Sequence, residues 1–189
     1  MRKSTFILAP VALILLAASG SALAAGKNAT LSVTANISKT TCDVNLTRDA
    51  IDLGNFTKAD FSAANPKEPI KSDTVTVSLA NCQATTEDGT ASLIITGETL
   101  AAHADMFNIS PSDDIAIMVA DLATPDDYIK KNEKIKLEEF TSGNGATAPE
   151  LNALTKSFTV GVAKTVATGA DPVTTGSIRA PITFQFDYN

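Results

Sequence analysis

The sequence predicts an all-β sandwich, because three kinds of pattern recur along most of the chain. Apolar and polar residues alternate with the period of two that gives a strand one buried face and one wet face. Short, dense apolar runs such as "SLIITG" and "IAIMVADL" are typical of strands in the core of a sandwich. Stretches rich in Gly, Pro, Asn and Asp separate these segments and are typical of turns. Together they favour one all-β domain.

Four segments alternate clearly and are predicted as strands. They cover residues 31–37, 75–79, 158–166 and 178–188. A charge-rich stretch, "DDYIKKNEKIKLEEF", also contains alternating apolar residues at Ile135 and Leu137. We therefore predict that this stretch forms a hairpin with wet outer faces rather than a binding patch.

Two stretches depart from the strand pattern. In "GETLAAHADMF", Leu100, His103 and Phe107 fall at helical spacing, which predicts one or two helical turns on a crossover. Paired aspartates in "SPSDDIA" and "TPDDY" are predicted to lie in loops. They lack the D-x-D-x-D-G spacing of a calcium loop, so solvated turns are favoured over a metal site.

The first residues have the features of a secretory signal peptide. A basic start, Arg2 and Lys3, precedes an apolar run of 13 residues, 6–18, and Ala22-Leu23-Ala24 offers a small-x-small cleavage signal. The alternative is a membrane anchor, but a spanning helix needs about 20 apolar residues. We predict that residues 1–24 are removed on export, with cleavage after Ala24 or one residue later.

Composition excludes several functional classes. The formal net charge is −6, and it becomes more negative once Arg2 and Lys3 are removed. An acidic chain without a basic cluster is a poor candidate for nucleic-acid binding. The single histidine, His103, lies in no recognisable nucleophile motif, so we predict no catalytic residues. No metal site and no cofactor are predicted.

The chain has two cysteines, Cys42 and Cys82, which lie 40 positions apart. In an exported protein such a pair is expected to form one structural disulfide. The alternative, a redox-active pair, usually has the close C-x-x-C spacing that is missing here.

Both ends of the mature chain carry clean alternation. At the C-terminal end, Ile182, Phe184, Phe186 and Tyr188 are apolar and alternate with polar residues. Pro181 interrupts backbone pairing there, because proline has no N–H to donate. At the N-terminal end, residues 31–37 alternate equally well before the first cysteine. From periodicity alone, this arm could be the first strand of its own sandwich.

Three features together resemble one protein family. The first cysteine lies close to the mature N-terminus with its partner 40 positions on, Gly176 is the fourteenth residue from the end, and Tyr188 is the penultimate residue. With the signal peptide, this combination resembles pilins of the chaperone–usher pathway, and the chain is most similar to a type 1-like fimbrial major subunit. The similarity extends over the whole mature chain.

The resemblance implies an incomplete immunoglobulin-like sandwich, the pilin fold, which is completed by a donor strand from another subunit. It implies three parts: a signal peptide 1–24, a donor-strand arm 25–41 and a pilin domain 42–189. The donor positions would be Leu31, Val33, Ala35 and Ile37. The groove and chaperone contacts would come from the C-terminal strand, at these positions: Gly176, Ile182, Phe184, Phe186, Tyr188 and Asn189. Ala35 stands where family members often carry glycine.

The function implied is that of a non-enzymatic structural subunit of a bacterial surface fimbria, which polymerises by donor-strand exchange and supports cell adhesion. Its partners would be identical or related pilin subunits, a periplasmic chaperone, an outer-membrane usher and a host surface receptor. It would pass through the periplasm and act outside the cell. The alternative function is that of a monomeric secreted or periplasmic β-sandwich that binds a small ligand or ion. In that alternative, residues 31–37 complete their own domain.

Overall fold

A computed structural model describes residues 39–109, 114–165 and 175–189. The regular secondary structure in this part of the chain consists almost entirely of strands, with two short helices. The elements in chain order are β1 (Asp43–Leu46), α1 (Lys58–Ser62), β2 (Lys71–Ala80), β3 (Gly89–Gly97), β4 (Thr99–Leu100), β5 (His103–Phe107), β6 (Ile115–Asp121), β7 (Thr124–Tyr128), β8 (Lys134–Phe140), α2 (Ala148–Asn152), β9 (Thr155–Lys164) and β10 (Ile182–Tyr188).

The strands form two sheets. The larger sheet has the order β1-β2-β9-β6-β5-β4, and β7 also pairs with β6. One edge of β6 is paired with β9 from Ile115 to Asp121, so β5 and β7 pair with the opposite edge of β6, at different points. The smaller sheet has the order β10-β3-β8. All the strand pairs in both sheets are antiparallel, as expected for a sandwich.

The main core lies between the two sheets. The larger sheet contributes inward residues of β2, β6 and β9, and the smaller sheet contributes alternate residues of β3 together with the last residues of β10. Its most buried members include Val75, Val77, Leu79, Leu93, Ile95, Val119, Phe158 and Tyr188. The alternation and the dense apolar runs therefore predicted β2, β3, β6, β9 and β10 correctly, because a period of two places one set of side chains on the core face.

The predicted helical turns in "GETLAAHADMF" are wrong. The stretch forms β4 and β5, which pair as a tight hairpin with Leu100 opposite His103. The spacing of Leu100, His103 and Phe107 is compatible with a helix, but a two-residue turn between short strands produces the same spacing. The apolar side chains of this hairpin, Leu100 and Met106, pack on Met118 of β6.

The charge-rich stretch after β6 is also arranged differently from the prediction. The residues "TPDDY" form strand β7 instead of a loop. β7 and β8 are consecutive, but they do not form a hairpin, because β7 pairs with β6 and β8 pairs with β3 in the other sheet. The alternation within β8 was predicted correctly, since Ile135 and Leu137 face the core and their neighbours are exposed.

Both helices were missed, although each begins with a recognisable signal. Thr57 and Asp60 form a capping box at α1, and Thr147 and Glu150 form one at α2. In both boxes the acidic side chain accepts a hydrogen bond from the backbone N–H of the threonine, and at α2 the Thr147 hydroxyl also accepts from the Glu150 N–H. Among the described residues, no helix is both long and apolar enough to cross a membrane.

Candidate functional site: an open groove beside the last strand

Strand β10 is paired along one edge only within the described part of the chain. Its register with β3 runs from Ile182 opposite Gly97 to Tyr188 opposite Ala91. On the other side, β10 comes near β1, but the two strands form no ladder. The second edge of β10 therefore presents backbone N–H and C=O groups that are available to another strand.

The strand starts later than the alternation predicted. The pattern indicated a strand from residue 178, whereas β10 begins at Ile182, directly after Pro181. Proline cannot donate a ladder hydrogen bond. In the segment before it, the Arg179 carbonyl instead accepts a hydrogen bond from the Ile109 N–H (2.9 Å). The carbonyl of Pro181 also lies so close to Gly97 that a Cβ there would come within 2.8 Å of it.

An open groove of about 1060 Å³ runs beside this unpaired edge. One wall consists of Leu46, the last residue of β1, and residues 48–58, and the other consists of residues 175–182 with Phe184. The floor is apolar and comes from the larger sheet. Its residues are Val75, Ile115, Ile117, Val119, Val160 and Val162.

Strand periodicity explains why the floor is apolar. Ile117 and Val119 of β6, like Val160 and Val162 of β9, are two residues apart and so point to the same face of the sheet. Two larger apolar side chains at the groove are well exposed: Leu46 by 39% and Ile109 by 49%. An apolar channel bordered by the unpaired edge of a strand is a favourable site for binding an extended peptide segment.

The wall that follows β1 is attached to β2 through an ion pair. The Arg48 guanidinium donates to both carboxylate oxygens of Asp73 (2.6 and 2.8 Å) and to the Thr74 carbonyl (2.6 Å). The hydrogen bond from Arg48 lowers the pKa of Asp73 below its ordinary value, and the Thr74 N–H adds to this effect. This ion pair holds the wall against β2 at a point beyond the end of β1.

One end of the groove is closed by aromatic and aliphatic side chains around α1. Phe61 is buried with Ile115 and Val162, and its ring meets the ring of Phe56 edge-on, with centroids 5.8 Å apart. Ile178 from the opposite wall packs on the same group. The two walls therefore approach the same apolar cluster at this end.

The opposite end of β10 is held by Tyr188. Its side chain is buried, its ring lies 6.2 Å from that of Phe140, and its hydroxyl donates to the Glu87 carbonyl (2.9 Å). Burial raises the pKa of the Tyr188 phenol, and the nearby charges of Asp88 and Glu87 raise it further. A Cβ at Gly89 would come within 2.7 Å of the Tyr188 ring, so glycine makes this close approach possible.

The predicted disulfide between Cys42 and Cys82 is present and joins the start of β1 to the residues after β2. The residues just before it are attached to the same region. Thr40 Oγ1 donates to the Gln83 carbonyl, and the Gln83 N–H donates to the Thr41 carbonyl (3.0 Å). The described chain therefore begins next to the segment that also holds Tyr188.

The predicted site residues of the C-terminal segment divide into two groups. Gly176, Ile182 and Phe184 line the groove, and the Phe184 ring lies 5.1 Å from that of Phe158. Phe186 and Tyr188 pack in the core between the sheets, while Asn189 is exposed and pairs through its backbone with Thr90. The predicted donor positions lie outside the described residues, namely Leu31, Val33, Ala35 and Ile37.

The part of the first wall formed by residues 51–58, together with Phe61, was not foreseen. Ile51 and Leu53 alternate there and line the groove with Phe56, but this short pattern belongs to no strand in the structure. The alternation was a usable signal. The location of this wall across from β10 depends on pairing between distant parts of the chain.

The geometry defines a class of protein: a β-sandwich whose last strand borders an open, apolar groove. The chain matches the family model described as fimbrial protein over residues 31–189, and it belongs to that family. It is therefore a structural subunit of a fimbria, or pilus. No curated protein matches the chain significantly.

Two solved structures resemble the chain. The P pilus rod subunit PapA is 22% identical, with a TM-score of 0.54 over 78% of this chain and 99% of that one. A chaperone–usher pilus structure, described as revealing the molecular basis of rod uncoiling, is 20% identical, with a TM-score of 0.49 over 86% of this chain and 94% of that one. The likeness to PapA agrees with the all-β, immunoglobulin-like sandwich of pilins.

Proposed function

We propose that the groove receives an extended strand from the N-terminal arm of a neighbouring subunit, so that the fimbria grows by donor-strand exchange. The observation that carries this proposal is the combination of an apolar groove with an unpaired edge of β10 along it. A bound strand would complete the backbone pairing of β10 and cover the groove floor. Strand addition of this kind takes affinity from main-chain hydrogen bonds and specificity from side-chain pockets.

The proposed donor is residues 31–37 of the arm. Leu31, Val33, Ala35 and Ile37 alternate, so an extended strand would place all four on the groove side. Seven residues extend about 23 Å, and the wall of residues 175–184, at most about 33 Å if extended, is long enough to accompany them. Burying the three large side chains would contribute about 5–9 kcal/mol, and ordering the arm would offset part of it.

We assign the chain three functional parts in this proposal: a signal peptide 1–24, a donor arm 25–41 and a pilin domain 42–189. The contacts of Lys39, Thr40 and Thr41 with residues 83–88 support a refinement of the arm. These three residues would form its fixed root, and the exchanged segment would lie before them. The root itself lies next to the segment that also holds Tyr188 of β10.

The remaining partners follow from the family as part of the same proposal. A periplasmic chaperone would first cover the groove, because an exposed apolar groove beside an open strand edge promotes aggregation. An outer-membrane usher would then catalyse the replacement of the chaperone by the next subunit. The fimbria, built mainly from this subunit, would support adhesion to a host surface. The family is structural, so we propose no catalytic activity.

The test is self-complementation. Without a donor, the mature chain should be unstable or self-associate, and a copy of residues 29–39 appended after Asn189 should give a stable monomer. The matched control carries Ile37→Asp in the appended copy and should fail to do so, because the groove cannot bury a carboxylate. In cells, Ile37→Asp in the natural arm should prevent fibre growth while the subunit still folds with its chaperone. A stable monomer that lacks residues 25–39 and any donor would overturn the proposal.

A further inference from the structure

Lys164 is a buried lysine at the end of the groove that closes around α1. Its exposure is 3%, and it lies at the last position of β9, opposite Ile115 of β6. Its side-chain nitrogen donates a hydrogen bond of 2.7 Å to the carbonyl oxygen of Phe61. Burial of an amino group is costly unless it is hydrogen-bonded, so this contact determines where the Phe61 carbonyl lies relative to β9.

Phe61 belongs to the group of residues that closes the groove. We call this group the end cluster; its buried members are Phe61, Ile115 and Val162, and its half-buried members are Leu53, Phe56, Ile70, Ile117 and Ile178. All of them except Ile70 also line the groove. A donor side chain that reaches this end of the groove must therefore pack against the end cluster.

The part of the wall that carries Phe56 has little regular structure to hold it. Residues 51–57 belong to no helix or strand, and the Gly54 and Thr57 N–H groups donate to the carboxylates of their near neighbours Asp52 and Asp60. The last turn of α1 has carbonyl groups without helical partners. Lys164 provides one of them with a donor that is anchored in the larger sheet.

We propose that Lys164 is a positioning residue for donor-strand binding: it holds α1 so that Phe61 and Phe56 form the pocket for one end of the donor. This inference rests on the proposed function, because it concerns the same groove. The donor side chain that packs on the end cluster would be one of the two terminal positions, Leu31 or Ile37. The other terminal position would lie far from Lys164 and be insensitive to it.

The test uses the mature chain refolded with an excess of a labelled peptide of residues 29–39. Lys164→Met keeps the apolar stem but removes the donor, so we expect the peptide to dissociate about tenfold faster, which corresponds to the loss of one buried hydrogen bond. Lys164→Arg keeps a donor and should restore slow dissociation in part. The matched control is Lys156→Met on the same strand, which breaks the contact of Lys156 with Asp121 and should leave dissociation unchanged.

The second readout separates positioning from general stability. Peptides with Leu31→Ala or Ile37→Ala are compared on the wild-type chain and on Lys164→Met. The inference predicts that one of these two substitutions costs clearly less on the variant than on the wild type, because its pocket is already disturbed. An equal effect of Lys164→Met on all peptides would mean that Lys164 acts only on overall stability, and it would overturn the inference.

Two further outcomes are distinguishable. If the wild-type chain does not retain the peptide, the proposed function fails and the inference with it. If the wild type retains the peptide and Lys164→Met does so equally well, only the inference fails. Should Lys164→Met not refold with free peptide, the donor copy is appended after Asn189 to raise its effective concentration, and the same comparison is made from urea midpoints.

Discussion

Lys39 and Tyr188 are hydrogen-bonded to adjacent carbonyl groups. The Tyr188 hydroxyl donates to the Glu87 carbonyl (2.9 Å), and the Lys39 amino group donates to the Asp88 carbonyl (3.1 Å) while lying 3.3 Å from the Glu87 carboxylate. The proposed root of the donor arm and the end of the groove strand are thus attached to the same two residues. In a polymer, the donor arm of each subunit would therefore be attached to the same two residues as its own β10, the strand along which the arm of the next subunit binds.

Tyr188→Phe should reduce the free energy of unfolding by about 1 kcal/mol, because the Glu87 carbonyl loses its hydrogen bond while the ring packing is kept. Urea unfolding of the chain with an appended donor measures this. The control is Tyr128→Phe, because the Tyr128 hydroxyl makes no hydrogen bond within the described part of the chain, and it should have little effect. Equal stability of the two variants would show that the Glu87 contact contributes nothing.

Loss of the Cys42–Cys82 disulfide should reduce stability by about 4 kcal/mol in the chain-entropy model, since the bond closes a loop of about 40 residues. The measurement is a pair of urea unfolding curves with and without dithiothreitol. A Cys42→Ser, Cys82→Ser double variant should unfold like the reduced protein and should not respond to dithiothreitol. A response from the double variant would exclude the disulfide as the source of the change.

Phe184→Ala should weaken donor binding by more than tenfold. Its ring lines the groove and contacts Phe158, so the substitution removes both a groove surface and an aromatic pair. Thr183→Ala, on the exposed face of the same strand, is the control and should bind the donor normally. Binding of labelled peptide to refolded chains compares them. Unchanged affinity in Phe184→Ala would place the donor elsewhere.

The free energy of unfolding of the chain with an appended donor should be constant between about pH 5 and 8 and should decrease below about pH 4. Because Arg48 lowers the pKa of Asp73 in the folded chain, the contribution of this pair to the free energy of unfolding is present above the unfolded pKa near 4 and is lost as the pH falls through the folded pKa. In urea unfolding, Asp73→Asn should lower the free energy of unfolding at neutral pH and flatten part of the acid response. Glu138→Gln, at an exposed position of β8, serves as the control. If the acid response of Asp73→Asn were unchanged, the Arg48–Asp73 ion pair would not be its cause.

The strands could be predicted where they depend only on the pattern of neighbouring residues in the sequence. Alternation at Val75, Val77 and Leu79, and again at Phe184 and Phe186, depends only on the two-residue period of an extended chain. The same local evidence failed at Leu100 and His103, because a tight hairpin and a helical turn give similar spacing there. It also failed for β7 and β8, which are neighbours in sequence but belong to different sheets.

The groove could be predicted only in part. The resemblance implied a groove-facing role for Gly176, Ile182 and Phe184, and this role stays a prediction; the three residues lie in the lining of the open groove. The opposite wall around Phe56 was missed, as was Lys164, because their neighbours in space are distant in sequence. Lys164 and Phe61, for example, are separated by 103 positions.

The sequence by itself determined which residues face the core in the strands that alternate clearly, the disulfide and the family resemblance, since these depend on residue type and local spacing. Only the tertiary structure decided which strands pair, where β10 is left with an unpaired edge and what closes the ends of the groove. The physical reason is that strand pairing is selected by the packing of all inward faces at once. A local period specifies a face but not the partner that covers it.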